Sequence, residues 1–255
     1  MLLDQRRAEI LKHVENSGFV SLSELADHFG ISESTARRDV EFLEGISPVR
    51  KTRGGASFEN GEHLTDFEAR PIRALKQKQL IAEFTAAEIS DGEVVILDGG
   101  TTTMEVAQKL VDRELTVVTN SVPIVNLLRH HPNIQLISIG GVVDSKTGVA
   151  LGPIARAALK EIQATRLIMS VGGIREERLF NTNNLLVETE RQMMDSSDEV
   201  WVVTDSSKFG RSSLSPLCPL NRVSRLITDD GITQEWQSRL DNVGVEVSIP
   251  SAVSS

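Results

Sequence analysis

Residues 21–53, SLSELADHFGISESTARRDVEFLEGISPVRKTR, decide the fold of the N-terminal part of this chain. Ser21 and Glu24 have the spacing of a capping box, which marks the start of a helix. Gly30 is placed to end that helix, because glycine adopts the left-handed conformation of a helix C-cap at little cost. Between them, apolar residues recur at helical spacing and predict one apolar face: Leu22, Leu25, Ala26 and Phe29.

A second helix is predicted directly after this turn, with Ser32 as its N-cap. Its apolar face consists of Ala36, Val40 and Leu43. The opposite side of this helix carries hydroxyl and guanidinium groups. Guanidinium groups bind guanine edges and phosphates, and hydroxyl groups bind phosphate oxygens, so this helix is predicted to enter the major groove of DNA. At about 100° per residue, the side chains that lie away from the apolar face are Ser34, Thr35, Arg37 and Arg38.

A short basic segment follows the second helix. Residues 49–55, VRKTRGG, alternate basic with uncharged residues and close on a glycine pair, as expected of a wing that lies along the DNA backbone. The alternative is a small helical hairpin with ordinary surface charges, since charge runs usually mark solvated faces. The turn spacing, the caps and the basic segment together favour DNA binding. The predicted DNA contacts are Ser32, Ser34, Thr35, Arg37, Arg38, Arg50, Lys51 and Arg53.

The same residues carry a family resemblance. GIS-x-x-T-x-RRD at residues 30–39, followed by RGGA at residues 53–56, resembles the N-terminal winged helix-turn-helix of the DeoR family of bacterial regulators. The chain departs from the family pattern before the wing, where it has Ser47 and Pro48, and before the glycine pair, where it has Arg53. The resemblance implies a winged DNA-binding domain.

Length and composition fit two domains. A chain of 255 residues that is 40% hydrophobic can bury a sizeable core. The net charge is −9, yet residues 45–56 contain three basic residues and no acid, so the acidic excess lies mostly outside the predicted DNA-binding surface. The predicted organisation is a DNA-binding domain at 1–56, a linker at 57–75, and an effector-sensing and oligomerisation domain at 76–250.

Several classes of protein are disfavoured. No apolar run approaches the roughly 20 residues that span a bilayer, so no membrane partner is predicted. Cys218 is the single cysteine, which fits a reducing compartment, and the predicted localisation is cytoplasmic. The sequence has neither a Walker loop nor Cys/His metal spacing, and no metal or cofactor is predicted.

From Lys76 onward, short β-branched runs alternate with helical segments. This alternation predicts a mostly parallel sheet covered on both faces. The predicted fold class is therefore α/β, with a winged helix-turn-helix joined to a mostly parallel, Rossmann-like effector domain. The predicted strands are Val94–Leu97, Leu115–Thr119, Ile134–Ile139, Leu167–Val171, Val200–Thr204, Leu226–Thr228 and Val245–Ile249, and the principal helices between them are Thr102–Leu110, Val122–Arg129, Pro153–Ile162 and Leu185–Met194.

Glycine and polar residues follow several of these strands, where ligands bind in such folds. Glycine lets the backbone approach an anion, and helix amides, hydroxyls and an ammonium group can hold it. Taken singly, each loop is as often structural: the threonines can cap a helix, Asn120 can stabilise a turn, and Lys208 can be a solvated lysine. The predicted effector contacts are Asp98, Gly99, Gly100, Thr101, Thr102, Thr103, Asn120, Ser121, Gly140, Gly141 and Lys208.

This half also resembles the DeoR family, in VVILDGGTTTMEVAQKL, TVVTNS and TDSSKFG. The family's effector domain is similar in fold to ribose-5-phosphate isomerase, in which a Gly-Thr-rich loop and a lysine bind the sugar phosphate. The resemblance therefore implies phosphate binding by residues 100–103 and Lys208. It would also place two acids near residues 170–173, and SVGG at that position contains none, so no catalytic residue is predicted. Glu188 and Glu190 are near in sequence but fit a solvated helix face equally well.

The predicted function is a DNA-binding transcriptional regulator, most consistent with a repressor of carbohydrate metabolism genes, whose DNA affinity is modulated by a phosphorylated sugar or related metabolite. The predicted partners are double-stranded operator DNA, the sugar phosphate and further copies of the chain, as a dimer or tetramer. Two alternatives stay open: a sugar-phosphate isomerase-type enzyme with an accessory DNA-binding head, and a DNA-binding head on a domain that only oligomerises.

Overall fold

The computed structural model describes residues 3–17, 19–46, 49–52, 54–58 and 74–251. The chain divides into two compact units, residues 1–73 and 74–255. Most of the predicted linker, residues 59–73, lies outside the described residues. At its two ends, a strand reaches Phe58 and a helix begins at Leu75, so residues 57, 58 and 75 belong to regular elements rather than to a linker.

The N-terminal unit is a winged helix-turn-helix. The first predicted helix begins at the Ser21–Glu24 capping box and ends at Gly30, whose φ of 62° is left-handed, as the sequence predicts. Three antiparallel strands complete the unit in the order β1-β3-β2. Its helices are α1 (Leu3–Ser17), α2 (Leu22–Phe29) and α3 (Glu33–Ile46), and its strands are β1 (Phe19–Ser21), β2 (Val49–Lys51) and β3 (Gly55–Phe58).

The core of this unit is formed by residues of its three helices and its three strands, and it includes the apolar face of α3. A buried ion-pair network also joins α1 to α3. The carboxylate of Asp39 is 2% exposed and accepts from Arg6 Nε at 2.7 Å and Arg7 Nε at 3.0 Å. Asp39 therefore holds the helix in position, whereas its neighbours Arg37 and Arg38 are exposed.

The second unit is built on a seven-stranded sheet, ordered β15-β14-β12-β9-β4-β5-β6, in which every neighbouring pair is parallel. This confirms the predicted fold class. Its strands are β4 (Val94–Leu97), β5 (Leu115–Thr119), β6 (Ile134–Ser138), β9 (Ala164–Met169), β12 (Ser197–Val203), β14 (Arg225–Ile227) and β15 (Glu246–Ser248). Its helices are α4 (Leu75–Ala87), α5 (Thr101–Lys109), α6 (Val122–Leu128), α7 (Pro153–Lys160), α8 (Asn184–Asp195) and α9 (Gln234–Asn242).

Alternate residues of each strand face opposite sides of this sheet, and both sides are buried. Ile96, Leu167 and Val202 belong to one apolar cluster, which also contains residues of α7, α8 and α9. Val95, Ile168 and Val203 belong to a second cluster with residues of α4, α5 and α6. Cys218 is buried in the first cluster, where burial raises the pKa of its thiol to about 11, and so it is a packed side chain rather than a nucleophile.

Two small antiparallel sheets accompany the main sheet. Each of their strands is short, and each is paired through contacts that a periodic sequence pattern does not reveal. The first sheet is the hairpin of β7 (Val142–Val143) and β8 (Ala150–Leu151), and the second has the order β10 (Gly173–Arg175), β11 (Arg178–Asn181) and β13 (Ser215–Pro219).

Candidate functional site

All the predicted effector loops lie at one edge of the seven-stranded sheet, because parallel strands end on the same side. Asp98 follows β4, Asn120 follows β5, Gly140 follows the end of β6, and Lys208 lies in a short 3-10 helix after β12. β12 and β6 are four strand spacings apart in the sheet order, roughly 19 Å. A single phosphate group cannot contact both outer loops, so the loop of residues 98–103 lies at the centre of any shared site.

The threonines of the central loop differ in their surroundings. Gly100 is the N-cap residue of α5, and no described side chain caps the amides of the first helical turn. Thr103 Oγ1 donates to Gly100 O at 2.8 Å and is buried, so its hydroxyl is used within the helix. Thr102 is also buried, whereas Thr101 is partly exposed. The first turn therefore offers unshared amides and one accessible hydroxyl.

The glycines of these loops also have packing roles. A Cβ at Gly100 would overlap Ser170 Oγ, and a Cβ at Gly99 would overlap the side chain of Val149. Gly141 has a φ of 151°, and a Cβ there would lie 2.6 Å from the carbonyl oxygen of Leu151. A Cβ at Gly140 would meet no atom within 4 Å. Close packing alone thus accounts for three of the four glycines.

Asn120 and Ser121 hold the neighbouring loop together. Asn120 Nδ2 donates to Ala150 O at 3.0 Å, while its buried Oδ1 has no hydrogen-bond partner among the described residues. Ser121 Oγ accepts from the amide of Ile124 at 3.5 Å and so caps α6. Ser121 is therefore a structural cap in this structure, and Asn120 retains one acceptor oxygen.

The loop that carries Lys208 is fixed by two aspartates. Asp205 Oδ1 accepts from the amide of Ser207 at 3.1 Å and caps the 3-10 helix. Asp229, which follows β14, accepts from the amide and the hydroxyl of Ser206 at 2.6 and 2.7 Å. Sequence reasoning missed Asp229, although its position just after a predicted strand was a usable signal. Lys208 itself is partly buried.

Two buried carboxyl groups lie near the Ser170 loop. Asp98 is 1% exposed, and burial raises its pKa to about 6, while hydrogen bonds from the amides of Gly99 and Ser170 oppose the rise. Glu190 is fully buried on α8, and its pKa is raised well above the usual range by burial and by the charge of Asp98. Asn181 Nδ2 donates to Glu190 Oε1 at 2.5 Å.

The alternative of a solvated face for Glu190 is therefore wrong, whereas Glu188 is half-exposed and pairs with Arg156 at 2.9 Å. The loop at 170–173 has no acid of its own, but Asp98 after β4 and Glu190 in the middle of α8 lie beside it. A signal for this was present in the sequence. Glu190 follows Leu186 and Val187 and precedes Met193 and Met194 at helical spacing, which is the buried face of α8.

The exposed side of α3 carries the predicted DNA contacts. Arg37 and Arg38 are exposed, and neither has a hydrogen-bond or ion-pair partner among the described residues. Ser32 Oγ caps α3 by accepting from the amide of Thr35 at 3.2 Å, and it lies 2.9 Å from both Ser34 Oγ and Thr35 Oγ1. The start of the helix therefore presents a cluster of hydroxyls beside two free guanidinium groups.

The wing residues are in different situations. Lys51 Nζ pairs with Glu41 Oε1 of α3 at 2.5 Å, so its charge is already shared. Arg50 lies in β2 with a side chain that is not among those described, and Arg53 lies outside the described residues. The described side chains of the predicted DNA-binding surface therefore lie mainly on the exposed face of α3.

Comparison with known proteins agrees with both halves of this architecture. The profile of the DeoR-like helix-turn-helix domain matches residues 6–61, and that of the DeoR C-terminal sensor domain matches residues 73–230. This chain belongs to the DeoR family. It is a DNA-binding transcriptional regulator, and none of its described helices is both long and apolar enough to cross a membrane.

Individual relatives of this DeoR-family chain cover nearly all of it. It is 33% identical to the uncharacterized HTH-type transcriptional regulator YulB of Bacillus subtilis, over 97% of each chain. It is 31% identical to the glycerol-3-phosphate regulon repressor of Escherichia coli, over 88% of this chain and 90% of that one. Among solved structures, ribose 5-phosphate isomerase A of Methanocaldococcus jannaschii matches 53% of this chain and 55% of its own at 16% identity, with a TM-score of 0.39.

Proposed function

We propose that this DeoR-family regulator is a repressor of carbohydrate metabolism genes and that a phosphorylated sugar, bound at the carboxyl edge of the sheet, changes its affinity for operator DNA. The observation that carries the proposal is the uncapped first turn of α5 at the same sheet edge as the Lys208 loop. The exposed arginines of α3 support the proposed recognition of operator DNA.

Phosphate binding at this edge has a direct chemical basis. The free amides at the start of α5 and the helix dipole both favour an anion. β12 and β4 are separated by β9, so their ends are roughly 10 Å apart. A phosphate at the α5 terminus and the extended side chain of Lys208 can together bridge that gap. Asp229 supports this role, because it holds the Lys208 loop through Ser206.

Regulation requires that the ligand bind one state of the protein better than another. A single winged helix-turn-helix domain can contact only a limited area of DNA. We therefore propose that the protein is a homo-oligomer, a dimer or a tetramer, that binds repeated half-sites. We infer repression, rather than activation, of transcription from similarity, because the Escherichia coli relative is named as the repressor of the glycerol-3-phosphate regulon.

One observation favours a second candidate function. Asp98 and Glu190 bring two carboxyl groups with raised pKa values close to the proposed phosphate site, and such groups can move protons between sugar carbons. We propose that this chain is nevertheless not an enzyme. A direct assay of aldose–ketose interconversion, with pentose and hexose phosphates as substrates, distinguishes the two: we expect no turnover, and measurable turnover would establish the isomerase.

A thermal-shift screen against phosphorylated sugars tests the sensor function. A ligand at about 100 times its dissociation constant stabilises the folded state by roughly 2.7 kcal/mol, which raises the melting temperature measurably. We expect Lys208→Ala to lose this stabilisation. Lys160→Ala is the matched control, because this exposed lysine ends α7, before the start of β9 at the opposite sheet edge.

The two possible failures of this screen are distinct. A ligand that stabilises the wild type and Lys208→Ala equally would remove Lys208 from the site. No stabilisation by any pentose, hexose or polyol phosphate would contradict the phosphorylated-sugar effector and favour a domain that only oligomerises.

A further inference from the structure

Three buried polar side chains form a cluster beside the proposed phosphate site: Asp98 at the end of β4, Asn181 at the end of β11 and Glu190 on α8. Together they are called the carboxyl cluster. None is more than 7% exposed. Buried polar atoms are normally hydrogen-bonded, and a buried polar atom left without a partner destabilises the fold.

Two oxygens of the cluster lack such partners. Glu190 Oε1 accepts from Asn181, but the buried Oε2 has no partner among the described residues. Asp98 accepts from the amides of Gly99 and Ser170, but its buried Oδ1 likewise has none. Neither carboxyl group forms a salt bridge with an arginine of the described residues, in contrast to Asp39 and its two arginines, and the charge of Arg191 only partly offsets the effect of burial on the pKa of Glu190. The free oxygens thus call for a partner from outside the protein.

The two carboxyl groups offer different hydrogen-bonding capacity. Burial and the charge of Asp98 raise the pKa of Glu190 well above its ordinary value, which favours the form of this group that holds a proton. Because Oε1 accepts from Asn181, this proton belongs on Oε2, which becomes a donor. Asp98, with a pKa of about 6, is mainly ionised at neutral pH and remains an acceptor. A donor beside an acceptor matches a hydroxyl group, which can accept and donate at once.

The cluster also has the right place in the fold. Asp98 is directly followed by residues 99–103, which lead into the proposed phosphate site. Asn181 lies against the neighbouring loop, since a Cβ at Gly172 would be 3.1 Å from Asn181 Oδ1. Because Asp98 is two residues before the N-cap Gly100, the cluster lies on the side of the proposed phosphate site toward which the carbon chain of a bound sugar phosphate can extend.

We propose that Asp98 and Glu190 recognise a hydroxyl group on the carbon chain of the phosphorylated ligand, with Asp98 accepting the hydroxyl hydrogen, Glu190 bonding to the hydroxyl oxygen and Asn181 orienting Glu190. This inference rests on the proposed function and narrows it. The effector is a polyhydroxy phosphate, and the protein rejects the analogue that lacks the recognised hydroxyl. Loss of one such buried interaction weakens binding about 10- to 100-fold.

The test compares ligand pairs by isothermal titration calorimetry: ribose 5-phosphate and glucose 6-phosphate, each against its 2-deoxy and 3-deoxy analogues, with inorganic phosphate as a ligand that lacks the carbon chain. We expect the wild type to prefer one hydroxylated sugar over a deoxy analogue about 10- to 100-fold. We expect Glu190→Leu to lose this preference and still bind inorganic phosphate. Glu190→Gln keeps it, because the amide can accept from Asn181 and donate to the ligand.

Two further variants make the outcome decisive. Glu188→Leu is the control, since this half-exposed residue lies on the same helix outside the cluster. Asp98→Asn places a donor where an acceptor is needed, so it should lose the preference even if Glu190→Leu does not fold, with folding checked by circular dichroism. Equal preference in the wild type, Glu190→Leu and Asp98→Asn would overturn the inference.

The result also separates this inference from the function on which it rests. If neither inorganic phosphate nor any sugar phosphate binds the wild type, the proposed effector is wrong and the inference falls with it. If phosphates bind but the wild type does not distinguish hydroxylated from deoxy ligands, the carboxyl cluster has no recognition role and the sensor function stands.

Discussion

The buried carboxyl groups of this chain are stabilised in two different ways. The carboxylate of Asp39 pairs with the Nε atoms of Arg6 and Arg7 at 2.7 and 3.0 Å, so its charge is neutralised inside the N-terminal unit. Asp98 has backbone amides instead of a cation, and burial raises its pKa to about 6. An ion pair of this kind joins helices, whereas a carboxyl group with a raised pKa and an unpartnered oxygen is typical of a site where a ligand binds.

Asp98 makes the stability of the folded chain depend on pH. Its pKa is higher in the folded state than the ordinary value of 3.8, so the folded chain binds the proton more tightly than the unfolded chain does. The free energy of unfolding therefore falls as pH rises from about 4 to about 7, by an Asp98 contribution of roughly 3 kcal/mol at most. We expect Asp98→Asn to flatten this decline in urea unfolding at pH 4.5 and 7.5.

Glu188→Gln serves as the control for this measurement, because Glu188 is half-exposed and salt-bridged to Arg156. It should retain the wild-type dependence on pH. Parallel curves for Asp98→Asn and the wild type would show that Asp98 titrates as in the unfolded chain and that burial does not raise its pKa.

Individual residues were predicted from sequence where a local pattern determines their role. The capping box at Ser21 and the C-cap at Gly30 are examples, since each depends only on neighbouring residues. The close contacts that account for Gly99 and Gly100 involve Val149 and Ser170, which are distant in sequence. Glu190 was assigned no role, although its spacing places it on the buried face of α8.

Elements of the parallel sheet were predicted closely because their sequence pattern is strong. β4 and β5 have the predicted bounds, and the remaining strands of this sheet overlap their predicted ranges. β11 and β13 were not predicted, because they pair Leu179 with Cys218 across a long stretch of chain. α9 was not predicted either, since Leu240 is its one buried residue and its apolar face is correspondingly weak.

The exposed face of α3 is the element that should determine DNA specificity. We expect Arg38→Ala to weaken binding to the preferred DNA sequence by about 1–3 kcal/mol, because a bidentate contact with a base is lost. The DNA is a duplex that the wild-type protein selects from a random-sequence pool, and fluorescence anisotropy measures affinity for this duplex and for a scrambled one.

Lys51→Ala is the comparison, because the ammonium group of Lys51 is already paired with Glu41, and we expect it to attract the DNA backbone rather than to read bases. It should change affinity for the selected and scrambled duplexes by similar factors. An unchanged ratio of the two affinities in Arg38→Ala would mean that Arg38 does not read bases.

Across the whole molecule, charge is unevenly distributed. The net charge is −9, while the basic residues 50, 51 and 53 lie in a segment without acids. Such a distribution limits non-specific attraction to DNA and leaves specific binding dependent on salt. Within the acidic chain, the uncapped first turn of α5 is a place in the sensor domain where a small anion is favoured by the backbone amides and the helix dipole.

If a phosphorylated sugar bound at the sheet edge regulates this protein, the DNA affinity of the full chain must differ with and without that sugar. The ligand is the sugar phosphate that gives the largest thermal stabilisation, and the DNA is the selected duplex. We predict that a saturating concentration changes DNA affinity by about 5- to 150-fold and that Lys208→Ala abolishes the change while its DNA affinity without ligand equals that of the wild type. DNA affinity that is the same with and without saturating ligand would show that ligand binding at the sheet edge does not regulate DNA binding.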